Sequence, residues 1–263
     1  MVPRKLGRTG LVVGPIGLGT TKLGRNTDVK YPERFALPSD EAVRELLETS
    51  LALGVNLIDT APAYGESERR LGAFVESNRG RIVLCTKCGE RYKDGRSTYD
   101  FSATGIVASV EESLRRLRAD TIDILLLHSD GRDIEILEQT DALEALLRLK
   151  KDGKAQAVGI SAKTEAGIAR ACAALDVVMA PFSERETSLA DALTKAHQEG
   201  LGVLAVKGLY SGHLEAASAI EFVLKQPFID ALILGTINPA HLKEAVKVAE
   251  VCLNLKSKIQ TPK

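Results

Sequence analysis

Eight times along the chain, a short apolar run is followed by a stretch whose apolar residues recur at helical spacing. No other feature limits the possible folds as much. The runs are Pro15–Gly19, 55–59, Arg81–Lys87, Ile122–His128, Ala155–Ile160, Val177–Ala180, Leu201–Val206 and Ala231–Leu234. Helices are expected after them, from Asp40 to about Leu53, Ser67 to Ser77, Ser102 to Arg118, Ile136 to Lys151, Thr164 to Ala173, Thr187 or Ser188 to Gln198, Leu214 to Lys225, and Pro239 to Leu253. Asp40, Ser102 and Thr164 are capping types, Pro239 suits a helix start, and Gly153 suits a helix end. Ahead of them, Arg4–Val13 reads as a hairpin turning at Gly7-Arg8-Thr9-Gly10, residues 22–38 read as an irregular loop, and a polar loop precedes Ser102.

Strands separated by helices pair in parallel, and runs that are apolar throughout are covered on both faces. Eight such units in 263 residues predict an α/β fold, a (β/α)8 TIM barrel with a short N-terminal β-hairpin. The rival is a doubly wound open sheet, which commonly carries G-x-G-x-x-G after its first strand; here that strand ends G-L-G-T-T. No shift in composition marks a boundary, so residues 1–263 are expected to form a single domain.

Composition narrows the partners. The 35 basic and 35 acidic residues cancel, which gives no reason to expect nucleic acid or an anionic membrane. No apolar run reaches the roughly 20 residues that span a bilayer, and the start, M-V-P-R-K-L-G-R-T-G, lacks the apolar region of a secretion signal. A cytoplasmic location is expected. Cys85 and Cys88 form a lone C-x-x-C at a strand end, where alternation sends the thiols to opposite sides. No second ligand pair accompanies them, so buried free thiols are expected and no metal site.

In parallel barrels the loops after the strands hold the site. The polar residues at those ends are Thr20, Thr21, Asp59, Lys87, His128, Ser161, Lys207 and Thr236, with Tyr64 in the second loop. Singly, each has an ordinary use: an acid after a strand caps a helix, and a rim lysine is solvated. Ionisable groups of four kinds around one mouth point to chemistry. Asp59 would hold Lys87 charged, and that ammonium would lower the pKa of Tyr64 so that it can protonate a developing alkoxide. His128 would donate a hydrogen bond to the same oxygen. No side chain supplies a hydride, so a nicotinamide cofactor is implied.

The segment D-T-A-P-A-Y-G-E-S-E at 59–68, with K-L-G-R-T-G-L-V-V near the start and G-T-I-N-P-A-H-L-K-E near the end, resembles the aldo-keto reductase superfamily over nearly the whole chain. The resemblance implies a catalytic tetrad of Asp59, Tyr64, Lys87 and His128, and NADP as cofactor, with NAD possible. It places the nicotinamide near Thr20, Thr21, Asp59 and Ser161, and the pyrophosphate on the loop from Lys207 through Leu209 to Gly212. It places the adenosine phosphate at Gly235, Thr236 and His241, with Glu244 near the adenine, at a helix start whose free N–H groups favour an anion.

Some positions depart from that pattern. Ala162 and Met179 stand where the family carries Asn and Gln on the carboxamide, Val206 where an aromatic stacks, Gly235 where a lysine meets the 2′-phosphate, and His241 where an arginine does. The chain also ends soon after its last helix, which leaves an open site for a small carbonyl substrate. The resemblance implies an NAD(P)H-dependent reductase of an aldehyde or ketone with Tyr64 as general acid. A cofactor-sensing protein without catalysis is the alternative. A Schiff-base aldolase acting through Lys87 ranks last, because Asp59 would keep that amine protonated.

Overall fold

The computed structural model describes residues 1–259, the side chains of 255–259 excepted. Strands β1 (Arg4–Lys5) and β2 (Val12–Val13) pair antiparallel as the N-terminal hairpin. Next come β3 (Ile16–Gly19), the short α1 (Thr21–Gly24), α2 (Asp40–Ala52), β4 (Leu57–Asp59), α3 (Ser67–Asn78) and β5 (Val83–Cys88). A second hairpin, β6 (Glu90–Lys93) with β7 (Arg96–Tyr99), precedes α4 (Ala103–Leu117) and β8 (Ile122–His128). Then follow α5 (Asp133–Glu138), α6 (Ala142–Lys151), β9 (Ala155–Ser161), α7 (Glu165–Cys172), β10 (Val177–Pro181), α8 (Ala190–Gln198), β11 (Gly202–Val206), α9 (Ala216–Leu224), β12 (Ala231–Gly235) and α10 (Pro239–Ile259).

Strands β3, β4, β5, β8, β9, β10, β11 and β12 pair in parallel in that order, and β12 returns to β3. The predicted (β/α)8 barrel is therefore closed. Side-chain alternation divides its apolar residues into two layers. Leu57, Cys85, Ile124, Leu126, Met179, Leu204 and Ile233 fill the interior. Ile58, Leu84, Cys88, Leu125, Val158 and Val203 pack outward under the helices. Cys85 and Cys88 thus face opposite ways as buried free thiols. Leu6, Leu11 and Val13 of the first hairpin join the inner layer. Arg8 N donates to Gly200 O at 2.9 Å, so this hairpin closes the end where β11 begins.

Several boundaries differ from expectation for local reasons. Ser39, not Asp40, caps α2, its hydroxyl accepting from Ala42 N. The helix expected over 136–151 is two, broken at Thr140, whose side chain accepts from Ala142 N at 3.2 Å and so starts α6. Helix α8 starts at Ala190 with no side-chain cap, not from Thr187 or Ser188. Helix α9 starts at Ala216, two residues late, because Glu215 caps it through Ala217 N and Ser218 N. The stretch read as irregular loop opens with α1, and the stretch before Ser102 holds the β6–β7 hairpin. That hairpin turns at Asp94-Gly95, both at positive φ, the Asp-Gly signature of a two-residue turn. The last helix continues past Leu253 to Ile259. Among the described residues, no helix is long and apolar enough to cross a membrane.

Candidate active site

Barrel register sets the first three groups. Asp59 ends β4 opposite Gly19 and Cys85, and His128 ends β8 opposite Ser161. Lys87, fully buried on β5, extends Nζ to within 2.5 Å of Asp59 Oδ1 and 3.0 Å of Thr60 O. The fourth group, Tyr64, sits in the 3-10 turn Pro62–Tyr64 directly after β4. The turn is pressed against α1. A Cβ on Gly24 would stand 2.2 Å from Tyr64 O and from Ser67 N, so only glycine permits that approach.

These elements bring the four side chains together. Lys87 Nζ lies 4.8 Å from the centroid of the Tyr64 ring. The rings of Tyr64 and His128 meet edge to face, 6.1 Å apart at 88°. Burial opposes the charge on Lys87, but Asp59, with Tyr64 and Cys85, outweighs it and holds the ammonium above its usual pKa. The lysine is thus a fixed cation and a poor amine nucleophile.

The expected lowering of the Tyr64 pKa does not occur. Burial raises it, and the opposing pull of Lys87 and the Thr21 hydroxyl is smaller. Desolvation disfavours the phenolate more than one neighbouring cation favours it. Tyr64 therefore stays a neutral phenol, a donor at physiological pH.

The support beneath is a hydroxyl network. Thr20 Oγ1 donates to Asp59 O at 2.9 Å, Ser67 Oγ donates to Thr20 Oγ1 at 2.8 Å, and Thr60 Oγ1 donates to Ser67 Oγ at 3.1 Å. Thr20 is thereby committed to holding β3 against β4, and Thr21 is the hydroxyl beside the phenol. Glu68, wholly buried, accepts from Thr86 Oγ1 at 2.7 Å and from Arg116 at 3.3 Å, anchoring the start of α3 to β5 and α4.

A second part of the rim is suited to an elongated anion. Lys207, Tyr210, Ser211 and Gly212 all have positive φ, at 58°, 47°, 59° and 94°. Non-glycine residues in that region are costly and gather where a loop clamps a ligand, and such turns collect N–H groups into anion-accepting hollows. Leu209 lies in this loop, half-buried. Lys30 and Lys163 are close enough to Lys207 for their charges, after desolvation, to lower its pKa. Gly235 is exposed at the end of β12, Thr236 accepts from Asn238 N at 3.1 Å, and His241 and Glu244 stand exposed on the first turns of α10. Ser161 is half-buried beside His128, while Ala162 and Met179 are buried, with Met179 inside the barrel.

Two features were not anticipated. Tyr31 reaches from the 25–38 segment to the rim, its hydroxyl 2.9 Å from where a Cβ on Gly235 would stand; a lysine there would strike it. Glu90, at the start of β6, places Oε2 2.9 Å from His128 Nδ1. The Asp94-Gly95 pair was the available signal for the second of these, since it folds the Glu90 strand back along the rim.

Comparison with known proteins agrees with this fold. The profile of the Aldo/keto reductase family matches residues 15–219. L-Galactose dehydrogenase of Arabidopsis thaliana is 34% identical over 93% of this chain and 76% of its own length. D-threo-Aldose 1-dehydrogenase of a Pseudomonas species is 30% identical over 91% and 90%. A solved structure of a candidate aldo-keto reductase from Pseudomonas aeruginosa superposes with a TM-score of 0.89 at 41% identity, covering 96% of both chains.

Proposed function

The chain belongs to the aldo-keto reductase family, and from that premise we propose that it uses NAD(P)H to reduce an aldehyde or ketone to the alcohol, with Tyr64 as general acid. The observation that carries the reading is the buried Lys87–Asp59 pair under the Tyr64 ring, beside His128. Bound along the rim, the reduced nicotinamide would supply the hydride. The positive-φ loop 207–212 and the Lys30, Lys163 and Lys207 cations fit its pyrophosphate. Thr21 and Ser161 flank the mouth where its ring would lie.

The protein's own groups do the rest. Tyr64, kept neutral by burial, donates its proton to the substrate oxygen as charge develops there. Lys87 stabilises the phenolate left behind and, fixed by Asp59, needs no reorganisation to do so. His128, whose Nδ1 lies against Glu90, would present Nε2 to the same oxygen. For the adenosine end, Thr236 and His241 are the candidates for the 2′-phosphate, with Glu244 at the adenine. NADP is the expected cofactor with NAD possible, a preference weakened because Tyr31 occupies the space that a lysine at 235 would need. Aldoses are the first compounds to try, as hydride donors to NAD(P)+ as well as acceptors from NAD(P)H, since the relatives named above are a galactose and an aldose dehydrogenase. The test is oxidation of NADPH and of NADH by the protein with a panel of aldoses and simple aldehydes.

Ala162 and Met179 favour a second reading, a cofactor sensor, because neither offers a polar side chain to the carboxamide. Tight NADPH binding with no turnover on any member of the panel would select it.

A further inference from the structure

Glu90 is buried at the rim, 8% exposed, and both carboxylate oxygens are in use. Oε1 accepts from Ser97 Oγ at 2.6 Å across the hairpin, and Oε2 faces His128 Nδ1 at 2.9 Å. Nδ1 is itself buried and, although 2.9 Å from Glu90 Oε2, meets no acceptor there at full hydrogen-bonding geometry. The other charged or titratable groups facing this pair are Lys87 on β5, Asp59 on β4, Tyr64 in its turn, Arg25 after α1 and Tyr99 on β7.

Burial raises the pKa of Glu90, but His128, Ser97 and Arg25 overcome that and hold it at about 2. An ionised carboxylate only accepts, so a hydrogen shared across the 2.9 Å approach of Glu90 and His128 would belong to Nδ1. A neutral imidazole has one N–H. With that one on Nδ1, Nε2 is left with a lone pair, which accepts from a hydroxyl and repels a carbonyl oxygen. His128 can give an N–H to a carbonyl only when both nitrogens are protonated, a form that burial disfavours, lowering the pKa, and that Glu90 partly restores.

We propose that Glu90 is a positioning residue that fixes the tautomer of His128 and so gives the site two proton states, a neutral ring that receives an alcohol and an imidazolium that receives a carbonyl compound. The inference rests on the redox reading above. In reduction the C=O π bond breaks as hydride from the reduced cofactor bonds to carbon. The Tyr64 proton goes to oxygen, and the imidazolium proton, passed through the new hydroxyl, restores the phenol. The complex is left with an alcohol, a neutral Tyr64 and a neutral His128. Each reduction thus draws its proton from the Glu90–His128 pair, which recovers it from solvent.

The test needs no cofactor. In protein labelled with 15N-histidine, long-range proton–nitrogen spectra followed against pH report the tautomer and pKa of each of the four histidines. Wild-type His128 is expected in the Nδ1–H form at high pH. In Glu90→Gln the side-chain amide can donate to Nδ1, so the Nε2–H form is expected to appear and the pKa to fall by about one unit or more. Glu90→Ala is expected to give the same fall with a mixed tautomer. A neutral wild-type ring in the Nε2–H form would overturn the proposal without any variant, as would a titration unmoved in both. In the carbonyl assay, the high-pH limb of kcat/KM is expected to lie at the His128 pKa in wild type and to be relieved in Glu90→Gln. Absence of any carbonyl reduction would count against the redox reading, and the spectra would still decide the tautomer.

Discussion

At the scale of single residues, what could be read from the sequence was identity and proximity, and what could not was burial. Asp59, Tyr64, Lys87 and His128 are brought to one mouth, as their positions at strand ends predict. The sign of the Tyr64 shift went the other way because it depends on how much water the packed loop excludes, which no local pattern encodes. Glu90 escaped notice because its partner lies 38 positions away on another strand. Its depressed pKa has a consequence for stability. The folded value is about 2 against an ordinary 4.5, so Glu90 contributes stability that is present above pH 4.5 and lost as pH falls toward 2. The contribution is on the order of 2 kcal/mol after screening at the rim. Urea unfolding across that range should show Glu90→Gln losing stability near neutrality and matching wild type near pH 2. Lys87→Met tests the buried pair. It leaves Asp59 without its cation, and a loss of about 3 kcal/mol or more in urea unfolding is expected; a change within experimental scatter would mean that the pair is not buried as described.

At the scale of elements, the helices and strands with strong periodicity and side-chain caps were legible, including β8 to the residue and α4 from Ser102. Breaks and caps set by one side chain were not: Thr140 divides a continuous apolar pattern, and Ser39 rather than Asp40 caps α2. The contact between α1 and the Tyr64 turn was invisible because it is backbone against backbone. It makes a sharp prediction. Gly24→Ala should displace the turn by enough to lower turnover about 100-fold, while circular dichroism still reports a folded barrel. Full activity in that variant would mean that the turn is not positioned by α1.

At the scale of the whole molecule, the eight-fold alternation was enough to specify a closed barrel, because parallel strands joined by helices leave few other ways to cover both faces. How the barrel floor is sealed was less legible: the hairpin was expected, but not that Leu6 would be fully buried in the inner layer. Leu6→Ala should therefore cost about 2–5 kcal/mol of stability with KM unchanged, since the floor lies at the opposite end from the site. The central claim concerns that site. Its most direct test is Tyr64→Phe, which removes the hydroxyl and keeps the ring. Steady-state carbonyl reduction is measured alongside a fluorescence titration with NADPH. The account predicts a loss of at least about 100-fold in kcat with NADPH affinity unchanged; wild-type turnover in the phenylalanine variant would contradict it.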